Sequence, residues 1–214
     1  RADGSGGGVS AAGGGAAMAD DIKISAVIAV LIAMLGIGLY IFLRFNRIAY
    51  SGGALLALAH DTLFILLLYC ILPLTGVVPF SLEVDQSFIA AILTVIGYSI
   101  NDKVVIFDRI REFIRNRKGA DFNKQDVFNS AISSTLSRTF STSLSTLIVL
   151  VIIFFFGGET IRGFIFAMLI GVIVGTYSSI FIAAPFACKY YSAKADEEEE
   201  AKRIEKEKRL AERA

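Results

Sequence analysis

The chain has one histidine and two cysteines, and only 19% of its residues are charged. One histidine cannot build a His-rich metal cluster. Cys70 and Cys188 lie in apolar runs, and two cysteines give neither metal-ligand spacing nor a disulfide framework. The net charge is +1, so no overall field points to nucleic acid. The scattered apolar pattern of a soluble domain is also missing. Apolar residues make up 55% of the chain, and they come in blocks rather than at periodic intervals. No metal or other cofactor is expected.

Residues 1–18 (RADGSGGGVSAAGGGAAM) have the composition of a flexible Gly-rich linker. They are polar, so a cleavable signal peptide is not expected. A fusion, a truncation scar or an unassigned stretch are the readings for this segment. Five apolar blocks follow, each long enough to cross a bilayer at about 20 residues: Ile22–Leu43, Gly52–Leu74, Phe88–Phe107, Phe140–Phe156 and Phe164–Phe186. Their apolar residues run continuously instead of alternating, which predicts helices rather than barrel strands.

Basic residues follow the first span (Arg44, Arg47), the third (Arg109, Arg111, Arg115, Arg117, Lys118, Lys124) and the fifth (Lys189). The link between the second and third spans carries Glu83 and Asp85 but no Lys or Arg. The positive-inside rule therefore places the C-terminus, the 44–51 turn and residues 108–138 in the cytoplasm, with only Arg162 opposed. The N-terminal side of the first span is then outside, as suits an internal fragment. Between Asp108 and Arg138 two apolar faces repeat at helical spacing: Ile110, Phe113 and Ile114, then Val127, Phe128, Ala131, Ile132 and Leu136. They predict amphipathic helices lying along the membrane surface. Residues 191–214 form a charged tail, either a solvated helix with Glu–Lys/Arg pairs at i,i+4 or a frayed end.

Two carboxylates interrupt the apolar blocks. An ionisable group at membrane depth is costly and marks a candidate functional site. Asp61 lies nine residues into the second span, roughly 14 Å from its cytoplasmic end. Asp102 is shallower on the third. Thr94, Tyr98, Asn101, Asp102 and Arg109 fall within about 100° of one another on that helix. Such a polar stripe, with water, suits proton transfer across a membrane. The plainer readings are a structural hydrogen-bonded acid at Asp61, an Asp102 that snorkels or caps, and an Arg109 that anchors topology. His60 points about 100° away from Asp61 and suits an interhelical hydrogen bond. Gly171 and Gly175 form a small-xxx-small face. Ser141, Thr142, Ser145 and Thr146 form an i,i+4 polar patch. Both are packing features first.

The strings Leu-Ala-His60-Asp61, Gly97-Tyr98-Ser-Ile-Asn101-Asp102, Asp108-Arg109-Ile-Arg111-Glu112 and Ser137-Arg138-Thr139, with Gly157-Gly158, Gly171 and Gly175, run in unbroken order between about residues 19 and 190. They resemble the SecF family, the membrane half of the SecDF protein-export factor in the RND superfamily. The resemblance implies an all-α membrane protein of the RND/SecDF type, a five-span helix bundle here, in the bacterial inner membrane. It implies a SecD half and the SecYEG channel as partners, a pre-protein as substrate, protons as the driving species, membrane lipid around it, and no enzymatic activity. It further implies that Asp61 and Arg109 serve proton passage, completed by an Asp of the SecD half. Asp102, Asn101, Tyr98 and His60 join them as relay candidates. The family's first span and external domain have no counterpart here, and Lys103 stands where many relatives carry Ser or Thr. The competing readings are a passive assembly scaffold, an intramembrane aspartyl protease using Asp61 and Asp102 as a dyad, and an RND-type exporter of lipid or drug.

Overall fold

The computed structural model describes residues 7–80, 82–116 and 123–191, with side chains from residue 24 onward. Helix α1 runs Gly7–Phe45, α2 Ile48–Thr75, α3 Gln86–Asn116, α4 Lys124–Phe156 and α5 Glu159–Ser178. A five-residue π turn, Ser179–Ala183, then leads into α6, Ala184–Tyr190. Among the described residues there is no strand, and five helical stretches are long and apolar enough to cross a membrane. α5, the π turn and α6 together make the fifth.

The boundaries follow from local chemistry. Asn46 takes positive φ between α1 and α2, a conformation Asn tolerates better than most residues. Gly76 ends α2 in the left-handed region, its N–H donating to the Pro73 carbonyl. Asp85 accepts from the backbone N–H of Phe88 at the start of α3, and Asn123 from that of Gln125 at the start of α4.

Two expectations are corrected. The amphipathic segments do not lie along the membrane as separate helices. The first is the last turns of α3, and the second is the first turns of α4. Residues 124–156 contain neither Gly nor Pro, and 98–116 contain neither, so nothing breaks either helix. At 31 and 33 residues both outrun a hydrocarbon layer about 30 Å thick and project beyond it. Helix also extends back to Gly7, into the Gly-rich stretch expected to be linker. Propagating an existing helix costs far less than starting one. Of the charged tail expected at 191–214, Tyr191 is buried in the core and residues 192–214 lie outside the described residues.

The core is divided. One apolar cluster, at the basic end, gathers Phe45, Tyr50, Phe107, Ile110, Phe128 and Tyr191. The other holds Leu58, Tyr69, Phe88, Val95, Ile165 and Val172. Along α3 the second cluster ends at Ile96 and the first begins at Ile106. The buried Ser99, Asp102 and Lys103 fall between them. α4 repeats the pattern with Thr135, Thr139 and Ser143, and α5 with Thr176 and Ser178. A polar layer therefore crosses the interior between two apolar ones. Among the described residues α1 packs chiefly on α2 and α3, and it leaves Ile28, Leu31, Leu35 and Leu39 exposed, as on a lipid-facing helix.

Candidate functional site: a buried polar layer

α3 and α5 pair most extensively in the bundle, and two glycines make their approach possible. A Cβ at Gly175 would stand 2.7 Å from Ser99 Oγ, and one at Gly171 would collide with the Val95 side chain. Gly171 and Gly175 thus seat α5 on the Val95–Ser99 ridge of α3. That contact carries Thr176 and Ser178 into the polar layer.

On one side of α5 lies an ion pair between Asp61 of α2 and Lys103 of α3. Their side chains are 1% and 0% exposed, with Lys103 Nζ 3.2 Å from Asp61 Oδ2. Ser99 Oγ donates to the same carboxylate oxygen at 2.8 Å and accepts from Lys103. Lys103 also donates to Ser178 Oγ at 3.3 Å, while Ser178 donates to the Gly175 carbonyl. The lysine stem starts one turn below Ser99 and leans back toward the helix N-terminus, as helix geometry directs. His60 stands at the edge, its Nδ1 3.3 Å from Asp61 Oδ1. It serves its own neighbour rather than another helix. Every part of the Asp61 charge is answered, as a buried ion pair requires.

On the other side of α5 lies Asp102, buried and far less engaged. It accepts one long hydrogen bond, from Thr176 Oγ1 at 3.5 Å. That hydroxyl also lies 2.9 Å from the Val172 carbonyl and 2.6 Å from Ser143 Oγ. One hydroxyl proton cannot serve the carbonyl and the carboxylate together. Lys103, its neighbour in sequence, and then Arg138 of α4 are the basic side chains whose charges act on Asp102. On the same helix the Thr139 hydroxyl is buried without a partner.

The remaining expected site residues lie elsewhere. Arg109 does not meet Asp61. It donates to Ser134 at 3.0 Å and to Glu112 at 2.6 Å, with the Arg109–Glu112 pair 39% and 43% exposed. Arg109 lies two turns of α3 beyond Asp102, toward the basic end and outside the polar layer. The stripe on α3 divides: Asp102 faces inward, Thr94 and Asn101 are exposed, and Tyr98 donates to Thr146 at 3.2 Å. Ser141 and Ser145 are exposed and bond their own helix carbonyls. The packing hydroxyl of that segment is Ser143. Among the described residues no group of three or more His, Cys, Asp or Glu side chains could hold a metal ion.

Comparison with known proteins bears directly on this arrangement. The family model described as "Protein export membrane protein SecD/SecF, C-terminal" matches residues 10–193. The chain belongs to the SecD/SecF family. Proteins named "Protein translocase subunit SecF" are among its SecD/SecF relatives. That of Rhodothermus marinus is 51% identical over 171 residues, 80% of this chain and 54% of that protein. That of Vibrio alginolyticus is 43% identical, over 79% of this chain and 50% of that protein. The crystal structure of SecDF, a translocon-associated membrane protein from Thermus thermophilus, superposes with a TM-score of 0.67 at 38% identity. That match covers 77% of this chain and 21% of that one. The chain spans about half the length of these curated SecD/SecF relatives.

Proposed function

We propose that this chain is the SecF-type membrane part of a complex that uses the proton-motive force to assist pre-protein export. It works in the bacterial inner membrane, C-terminus in the cytoplasm, with a SecD-type half and the SecYEG channel. One observation carries the reading: Asp102, a carboxyl buried at membrane depth, has a single weak hydroxyl partner, with the neighbouring Lys103 engaged by Asp61. A proton carrier must be stable enough in both protonation states to alternate between them. When ionised, Asp102 is stabilised by Arg138 and by the Thr176 hydroxyl. When protonated, it donates to Thr176, whose own proton turns to the Val172 carbonyl. The π turn that begins one residue after Ser178 adds an irregular segment of the kind often found at functional sites.

Asp61 is the fixed member of the pair of acids. Lys103 and Ser99 both bond its Oδ2, so its place in the layer is pinned while Asp102 stays loosely held. Its engagement with Lys103 also argues against the protease reading, since a dyad sharing one proton has no room for a lysine. The exposed polar face made by Thr94, Asn101, Ser141 and Ser145 is a poor surface for lipid and suits the contact with the SecD-type half.

The test is export driven by an imposed proton gradient in vesicles carrying the assembled complex. Asp102→Asn is expected to abolish the gradient-dependent part while leaving assembly intact. Indifference to Asp102→Asn, together with sensitivity to Gly175→Leu, supports the passive scaffold instead.

A further inference from the structure

At the basic end of the bundle a cleft of about 490 Å³ opens between the first turns of α4 and helix α6. Its outer part carries Lys124, Lys189, Gln125 and Asn129, and its inner part Ile132 and Pro185. No acidic side chain lines it, although Asp126 stands on the same turn of α4. Lys124 donates to the Lys189 carbonyl at 3.5 Å, which ties the mouth together while leaving most of its ammonium donors free for a ligand.

The direction of change along the cleft says what fits it. Lys124 opens α4 and Lys189 lies in the last turn of α6, at the same basic end of the bundle as Arg44 and the end of α3. Ile132 lies two turns further into α4, and Pro185 one turn back along α6, both toward the hydrocarbon. A ligand that follows this gradient has an anionic oxygen-rich head at the surface and an apolar chain leading inward. We propose that the cleft binds one anionic phospholipid, phosphate against Lys124 and Lys189 and the start of an acyl chain along Ile132 and Pro185. Basic pockets between membrane helices recognise anionic headgroups through this combination of charge and depth. The amide side chains of Gln125 and Asn129 can donate to the same phosphate. The proposal is independent of the coupling reading, because none of these residues belongs to the polar layer.

The purified 214-residue chain, stripped of lipid in detergent, is examined by native mass spectrometry with phosphatidylglycerol or phosphatidylcholine added. The expected result is one retained phosphatidylglycerol at concentrations where phosphatidylcholine is not retained. Lys124→Gln/Lys189→Gln should weaken that retention roughly thirtyfold, from about fivefold per lysine. Ile132→Asp should weaken it as well, by spoiling the acyl path. Excess inorganic phosphate should not displace the lipid. Equal retention of the two lipids overturns the proposal, as does undiminished retention in the double variant. Displacement by phosphate also overturns it, showing a free-anion site instead. Circular dichroism of each variant checks that both surface lysines can be replaced in a folded protein.

Discussion

Replacing Lys103 by Met deletes a buried ammonium and keeps most of its stem volume. Asp61 is then left at 1% exposure with Ser99 and the edge-lying His60 for company. Removing one partner from a buried pair costs about 3–5 kcal/mol, because the other charge stays desolvated and unanswered. For a chain of this length each kcal/mol moves Tm by about 2–4 °C, so the expected fall is on the order of 10 °C. Asp61→Asn leaves Lys103 facing the oxygens of Ser99 and Ser178, and it too should be destabilising. The double variant Asp61→Asn/Lys103→Met holds no unpaired charge. It should recover most of the loss, leaving a coupling energy of at least about 2 kcal/mol in the cycle. The assay is thermal unfolding of all four proteins in one detergent, followed by circular dichroism. Single losses that simply add in the double variant, within about 0.5 kcal/mol, would refute the pairing and the fixed role given to Asp61.

The other predictions concern packing, the surface and the partner face. Gly175→Ala and Gly171→Ala should each cost about 1–3 kcal/mol by forcing α5 off α3, whereas Gly97→Ala, with open space around its Cβ position, should stabilise by about 0.5–1 kcal/mol; unfolding midpoints decide both. Arg44→Gln removes a two-pronged contact to Asp108 at 3.0 and 3.1 Å, but both partners are well exposed, so the loss should stay below about 1 kcal/mol. Arg109→Gln should be equally mild and should leave gradient-driven export unchanged, since Arg109 sits outside the polar layer. Single cysteines at Asn101 and Ser141 should cross-link to a SecD-type half in membranes, while one at Leu35 on α1 should not.

The five spans were legible because a bilayer demands long apolar runs, and their order needed nothing more than that; the end of α3 and the start of α4 were not, because both helices run on well past their apolar blocks. Asp61 and Asp102 were legible for a related reason, since an acid in such a run has to be explained. Lys103 obeys the same logic, yet the sequence marked it only as a departure from the family pattern. Its partner was readable only from how α2 sits against α3. Arg109 was read as a relay candidate because it shares a helix face with Asp102; its side chain is instead bonded to Ser134 and Glu112. Ser99, Ser143 and Thr176 carry no signal of their own as single residues. Their common position between two apolar clusters does, and that position exists only once the helices are in register. The small-xxx-small pattern at Gly171 and Gly175 pointed to a close contact without naming Val95 and Ser99 as what lies beneath it.

The measurement closest to the heart of the account is infrared difference spectroscopy of the assembled complex as pH is lowered. The protonated-carboxyl band that grows in should be absent from Asp102→Asn and present in Asp61→Asn. A band that persists in Asp102→Asn but vanishes in Asp61→Asn would exchange the roles of the two acids and contradict the account.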